Sequence, residues 1–442
     1  MWGVTEELER ARGLLASGDI SGLLRHLRAH GEALPLGEVA RLVAGAAQLA
    51  GFADLAQAAA AVAEGEDVPG AEDARALYDF GYACIERGVG YLAVRPLARA
   101  LELAPDAAPV LSELITALEH DGQHAGAVAV LEEHESVMQW LHRFQYVYNA
   151  LMAGDLEKAA EGFGRLPEPE DAAWTPAREK VRRMLARADT ARAVTSLDRQ
   201  DLRGWHYVLT GGVLGSLSPY GFDVGITGRW AYVSDSVEAC AVALLRLKLI
   251  LDAADTAPES AALLPDRSSR ILGAAAAATL GLPTTDFDPG KPAAHSLVVA
   301  YDLTETDPST VAALRERAPG QVLFERATCW TDPPRVTADV SGLLGQTVVP
   351  PWATQMRRLE DGAVGQGPAD DRPIEAVAAE IVHVTPEQDE GDGNSPPDLD
   401  EGLRRFVEAV TAAGAGERDG SWLSGIREYI PDAGPVSSRR FL

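Results

Sequence analysis

Lysine is almost missing from this chain of 442 residues: only Lys158, Lys180, Lys248 and Lys291 carry it, so nearly every cation is an arginine. Basic residues number 39 against 66 acidic ones, a formal net charge of −27. The acidic excess is spread out, with 30 acidic and 18 basic side chains in residues 1–195 and 36 and 21 in the rest. A chain without a basic face offers little to a nucleic-acid backbone, and no nucleic-acid partner is expected. Cysteine is equally scarce. Cys84, Cys240 and Cys329 lie far apart and form no Cys-x-x-Cys pair, which argues against a disulfide framework and a structural zinc site, and for a reducing compartment. Long apolar runs are missing too. The stretch Ala241–Ile250 is broken by Arg246 and Lys248, and the opening Met1-Trp2-Gly3-Val4-Thr5-Glu6-Glu7 has neither the basic nor the apolar region of a secretory leader. A soluble, cytoplasmic protein with no membrane partner is therefore expected.

What is present is ample apolar material, 46% of residues, in a chain longer than one core of about 250–300 residues supports, so two or more domains are expected. The first 170 residues place apolar side chains at three- and four-residue spacing between short glycine-containing turns, the pattern of stacked helices. Gly18, Gly51, Gly88, Gly122 and Gly154 stand 33, 37, 34 and 32 residues apart, a period that suits a helical hairpin repeat. Small residues such as Gly81, Ala93 and Ala100 would let paired helices approach, while Leu77, Phe80 and Leu97 would fill the space between hairpins.

The unit Leu77, Phe80, Gly81, Cys84, Gly88, Ala93, Leu97, Ala100, Pro105 resembles a tetratricopeptide repeat. A second unit, Leu111, Leu114, Leu118, Gly122, Ala127, Leu131, keeps the spacing but has Ile115, His134 and Gln139 where that family prefers small residues and proline. The resemblance implies a superhelix whose concave surface takes a protein or peptide. It does not identify that partner or an oligomeric state.

The repeat period ends near Thr175-Pro176, where an arginine-rich helix through Arg182, Arg183, Arg187 and Arg192 begins, and a domain of residues 1–195 is expected. Over 196–385 the period alternates. Leu202–Leu209 reads as helix, Trp230–Val233 as strand, Ser236–Asp252 as helix, Ala261–Leu264 as strand and Ser269–Leu280 as helix; Ser296–Tyr301, Pro308–Arg317 and Gln321–Ala327 follow as strand, helix and strand. Strands alternating with helices predict an α/β domain with a mainly parallel sheet. An acidic linker is expected over 386–402, and a C-terminal helix, Leu403–Ala413, with a tail over 403–442.

In an open parallel sheet, ligands bind at the carboxyl ends of the strands. That rule selects Asp266, Arg267 and Ser268 after one strand, Asp302 and Thr304 after the next, and Thr328 and Trp330 after the third. Arg267 would clamp an anion beside a helix N-terminus, unless Ser268 or Ser269 simply caps that helix. Asp302 would hold Mg²⁺ or a ribose hydroxyl, or else cap its own turn; no other cofactor and no bound metal is expected. No Gly-x-Gly-x-x-Gly or Walker-type loop occurs, which disfavours dinucleotides and ATP hydrolysis. No catalytic residue is assigned: Cys329 lacks a histidine tied to it by any motif, and His120 and His124, four residues apart, have no glutamate completing a zinc motif. Aromatic knots, Trp205-His206-Tyr207, Pro219-Tyr220-Gly221-Phe222, Trp230-Ala231-Tyr232 and Pro350-Pro351-Trp352, would line a cleft or seal the core.

The segment ending Leu280-Gly281-Leu282-Pro283, followed by the strand Leu297–Tyr301 and Asp302, resembles a phosphoribosyltransferase core. That family carries two adjacent acids and then a glycine-containing turn that cradles phosphate. Here Tyr301-Asp302 is followed by Thr304-Glu305-Thr306-Asp307-Pro308-Ser309-Thr310, without glycine and with one amide donor removed by Pro308. Asp307 and Pro308 also suit a helix N-cap and first turn. The leading expectation is an interaction protein built on the repeats with an accessory α/β domain. An enzyme acting on a phosphorylated or nucleotide-like small molecule is the alternative.

Overall fold

The computed structural model describes residues 2–66, 73–222, 225–358, 364–386, 391–414, 426–431, 434–436 and 438. The chain divides into two compact units, Met1–Thr175 and Pro176–Leu442. Residues 387–390 of the expected linker, and 415–425, 432–433, 437 and 439–442 of the expected tail, lie outside the described residues.

The first unit is all helix: α1 (Trp2–Ala16), α2 (Ile20–His30), α3 (Leu36–Ala50), α4 (Ala53–Glu66), α5 (Ala74–Glu86), α6 (Val94–Leu103), α7 (Ala108–His120), α8 (His124–Glu133), α9 (Trp140–Met152) and α10 (Leu156–Arg165). The five glycines of the repeat period fall between successive helices, one in each of five hairpins. All five have positive φ, from 69° at Gly122 to 81° at Gly51, the left-handed turn that a residue with a Cβ resists. From α3 onward each helix packs on the next, and α5, α7 and α9 also pack side by side. Gly81 is needed where α5 meets α6, because a Cβ there would stand 2.4 Å from Leu97 Cγ. Leu77, Phe80, Ala93, Leu97 and Ala100 are buried in one continuous apolar core.

The second unit opens with α11 (Thr175–Arg192), which follows the repeats in sequence but belongs with the α/β fold. Arg187 of this helix donates to the carbonyl oxygens of Val208 and Leu209, and Lys180 to that of Tyr429. The boundary thus lies about twenty residues before 195, because these cations find their acceptors in the later chain.

There follow α12 (Leu202–Thr210), β1 (Val213–Leu214), β2 (Trp230–Ser234), α13 (Val237–Ala253), β3 (Ser260–Leu263), α14 (Arg267–Leu280), β4 (Thr284–Asp286), β5 (Ser296–Ala300), α15 (Pro308–Leu314), β6 (Val322–Cys329) and β7 (Val340–Val349). Last come β8 (Met356–Arg358), β9 (Val364–Gln366), α16 (Ile374–His383) and α17 (Asp400–Gly414). Seven strands form one sheet in the order β1-β7-β6-β5-β3-β4, with β2 also on β7, and every pairing is parallel. Strand β1 takes Val340 and Ser341 of β7, and β2 takes Gly345 to Val349, so the two share one edge. Buried apolar runs such as Leu297–Ala300 reflect helices on both faces. Gly273 of α14 lies against Leu263 and Val299, whereas Val311 and Leu314 of α15 join Val298 and Leu323 on the other face.

Sequence reading overlooked β7, because Gly342 and Gly345 disguise a central strand as a turn. A Cβ on Gly342 would meet the Arg326 carbonyl oxygen at 2.6 Å, so the glycine serves close backbone approach. The distal part of the expected acidic linker is also anchored. Asp398 accepts hydrogen bonds from Arg203 (2.8 Å), from Arg246 and from the Leu217 amide (2.9 Å). Charges that composition suggests are solvated are here paired in a largely buried cluster. Described residues beyond 403 pack within the same unit: Phe406 lies edge-on against Tyr207, and Arg427 is buried against Asp339. Among the described residues, no helix is long and apolar enough to cross a membrane.

Candidate functional site

At the carboxyl edge of the sheet, the chain leaves β3 through α14 toward β4, while β5 lies on the opposite side of β3. The loops after β3 and β5 therefore diverge at a topological switch point. Asp266 caps α14, accepting from the Ser269 amide at 2.8 Å. The cap is thus the aspartate, and neither serine takes that role: Ser269 Oγ accepts from the Tyr301 amide (2.9 Å), and Ser268 Oγ from Trp352 Nε1 (2.9 Å). Asp302 Oδ1 accepts from the amide (2.8 Å) and hydroxyl (2.6 Å) of Thr304. Burial raises the Asp302 pKa against those two hydrogen bonds, and the charges of Glu305 and Asp266 add to the rise. Asp307 caps α15 through Ser309 (2.9 Å) and Thr310 (3.3 Å), with Pro308 in the first turn.

The candidates divide. Asp266, Ser268, Asp302 and Thr304 belong to the paired loops at the switch point. Arg267 turns to the carbonyl oxygens of Asp370 (2.9 Å) and Arg372 (2.8 Å), which occupy one of its terminal nitrogens. The Thr328 hydroxyl donates to the Glu325 carboxylate and lies 3.1 Å from Ser341 Oγ, and Trp330 Nε1 donates to the Trp230 carbonyl oxygen at 2.9 Å. Thr328 borders one of the two cavities described below, and neither Arg267 nor Asp302 lines either of them.

Beneath the loops, β6 presents two charges on alternate faces. Glu325 is fully buried, accepts from the Leu303 amide at 2.7 Å, and its pKa is pushed up to about 8, chiefly by burial and then by Asp302. On the other face Arg326 donates to Asp235 Oδ1 at 2.7 Å, while the Tyr301 hydroxyl donates to Oδ2 at 2.7 Å and Cys240 Sγ lies 3.4 Å away. Burial, and then the Asp235 charge, raise the pKa of both Tyr301 and Cys240. None of this carried a sequence signal, since Asp235 is 66 and 91 residues from Tyr301 and Arg326.

Two cavities border this network. One, about 500 Å³, opens at the carboxyl end of β2 and is lined by Ser236, Gln355, Asp370, Asp371, Arg372 and Glu380. Arg372 is already paired with Asp370 and Glu380 (both 2.6 Å), so the lining is acidic and repels a phosphorylated ligand. The other, about 70 Å³, is bordered by His206, Arg229, Thr328 and Trp330 and has room for a few water molecules. Arg229 is 1% exposed; its Nη2 donates to the Val436 carbonyl oxygen at 3.0 Å, while Nε and Nη1 have no hydrogen-bond partner. Burial lowers its pKa to about 10, and lowers that of His206 to about 4 with help from Arg229 and Arg203.

The aromatic knots are largely core. Trp205, Tyr207, Trp330 and Trp352 are buried, whereas Tyr220 and Tyr232 are exposed. Cys84 and Cys240 are free and buried, and Cys329 is free and half-buried. In the helical unit, Tyr78 stacks on Tyr82 along α5 at 6.2 Å between ring centres. Trp140, Phe144 and Tyr148 stack along α9 at 5.6 and 6.4 Å, with Trp174 against the first two. These rings are half-buried or exposed. No family model matches the chain, and no curated protein or solved structure compared with it does.

Proposed function

We infer that the chain is a cytoplasmic interaction protein whose helical unit acts as a tetratricopeptide-like array, with the α/β unit as an accessory domain. One observation carries the reading: α5 and α9, two of three helices packed side by side, bear stacked aromatic rings that stay partly open to solvent. Arrays of this kind commonly bind through the extended concave surface that their stacked hairpins create. Rigid aromatic rings are good anchors there, because they bring large contact area at low entropic cost. Residues 1–175 hold 28 acidic and 12 basic side chains, net −16, so the complementary partner is a basic peptide segment with apolar anchors.

Selection of displayed peptides on the full chain tests this. Enrichment of Arg/Lys-containing sequences with aromatic or aliphatic anchors is expected, with binding weakened by salt and reduced about tenfold or more in Tyr82→Ala or Trp140→Ala. No enrichment, or binding indifferent to both substitutions, refutes it.

The enzyme reading draws on Asp302 and Glu325, two carboxyls of raised pKa at the switch point, where perturbed acids gather in active sites. A phosphorylated or nucleotide-like ligand, with or without Mg²⁺, would then raise the unfolding temperature of the full chain, and Asp302→Asn would abolish the shift. The acidic lining of the larger cavity and the commitment of Arg267 to backbone carbonyls weigh against it.

A further inference from the structure

We propose that the first hairpin of the helical unit carries a transition-metal site, formed by Glu7 of α1 with His26 and His30 of α2, that takes Zn²⁺. The two histidines stand four residues apart, which places them on one face of α2, and their ring centres are 4.8 Å apart. Glu7 Oε2 faces both, 3.4 Å from His26 Nε2 and 4.0 Å from His30 Nε2. One ligand atom from each residue lies within 4.8 Å of the other two. Bonds of about 2.0–2.2 Å to a tetrahedral ion separate donor atoms by roughly 3.3–3.6 Å, so side-chain rotations of about an ångström close the set.

One further feature favours an ion over an ordinary surface cluster. Glu7 Oε2 is buried without a hydrogen-bond donor, and a cation between it and the two imidazoles would satisfy it. His26, itself 7% exposed, is packed against α1, with its Nε2 donating to the Glu7 carbonyl oxygen at 2.9 Å, a bond that the ion has to displace. A bound ion would take the Nε2 lone pair in place of that bond, with the ring proton on Nδ1. The donors are two imidazoles and one carboxylate, borderline ligands that suit Zn²⁺ and the neighbouring Cu²⁺ and Ni²⁺ rather than Mg²⁺ or Ca²⁺. Three protein ligands leave a fourth position for water. His30 is the solvent-facing member, its side chain 43% exposed, so the ion has a way in. The set carries no local signal in the sequence, since Glu7 lies nineteen residues before His26 and arrives only through the hairpin.

The test is titration of the chelator-stripped full chain with Zn²⁺ by calorimetry, and with Co²⁺ by visible absorption. One ion per chain is expected, with the d–d bands of a four-coordinate nitrogen and oxygen site. His30→Ala and Glu7→Gln, both at positions that leave the apolar core untouched, should each weaken binding about tenfold or more, while His134→Ala leaves it unchanged. Absence of binding by the parent chain overturns the proposal, and so does binding that His30→Ala and Glu7→Gln do not weaken.

Discussion

The two units solve the problem of burial in opposite ways. Among the described residues, the buried polar side chains of the helical unit are all uncharged types or histidine: His26, His124, His142, Gln145 and Asn149. The α/β unit buries Arg203, Arg229, Arg326, Arg427, Asp235, Asp339 and Glu325. The helical unit is held by apolar contacts between helices close in sequence, each hairpin resting on the next. The α/β unit is tied by ionic knots that join segments far apart: Asp235 with Arg326, Asp339 with Arg427, and Asp398 with Arg203 and Arg246. A repeat can add hairpins without new chemistry, whereas a sheet whose loops carry charges inward must match each one with a partner.

Breaking one ionic knot should have the largest effect. Asp235→Ala strips Arg326, Tyr301 and Cys240 of their shared acceptor and strands a buried guanidinium. A loss of about 3–5 kcal/mol is expected from chemical denaturation; a loss under about 1 kcal/mol would mean that water reaches Arg326 and that the contrast between the units is overstated. Next comes Glu325. Its folded pKa lies above the unfolded value, so the native state binds the extra proton and stability falls as pH rises from about 4.5 to about 8. Glu325→Gln keeps the shape without the charge. It should match the parent chain near pH 4.5 and exceed it by on the order of 4 kcal/mol at pH 8, and denaturation curves that run parallel across that range would contradict the assignment.

The smallest effect belongs to the helical unit and turns on sign. Gly81→Ala forces Leu97 to move and should cost about 1–2 kcal/mol despite the better helix propensity of alanine. Gly13→Ala, in α1 with nothing within 4 Å of the new Cβ, should gain about 0.5–1 kcal/mol. Equal shifts of the melting temperature in both variants would show that close helix approach at Gly81 has no energetic role.

Legibility follows the same divide. The five glycines of the period mark five left-handed turns because a glycine requirement is local, decided by one residue's φ. Strands β2, β3, β5 and β6 and helices α13 to α15 were readable to within a few residues, since buried apolar runs and caps such as Asp307-Pro308 are also local signals. Strand β7 was hidden by glycines whose purpose lies across the sheet. Helices α11 and α17 were legible as helices, but the unit to which they belong depends on side chains finding distant partners, Lys180 the Tyr429 carbonyl oxygen 249 residues on and Phe406 the Tyr207 ring.

The candidate site repeats that lesson. The rule that ligands bind at strand ends selected Asp266 and Asp302, which lie at the divergence of two loops, whereas Arg267, Thr328 and Trp330 turn to carbonyl, carboxylate and hydroxyl oxygens that no spacing announces. Asp235, Glu325, Arg229 and the Glu7, His26, His30 cluster carried no motif at all. By itself the sequence determined the hairpin period, the α/β alternation and the acidic character, because each depends on residue type and near neighbours. Tertiary structure alone decided which charges are buried together and which are left without a partner. Desolvation and pairing act through space, and only the folded chain brings Asp235 to Arg326 or Glu7 to His26.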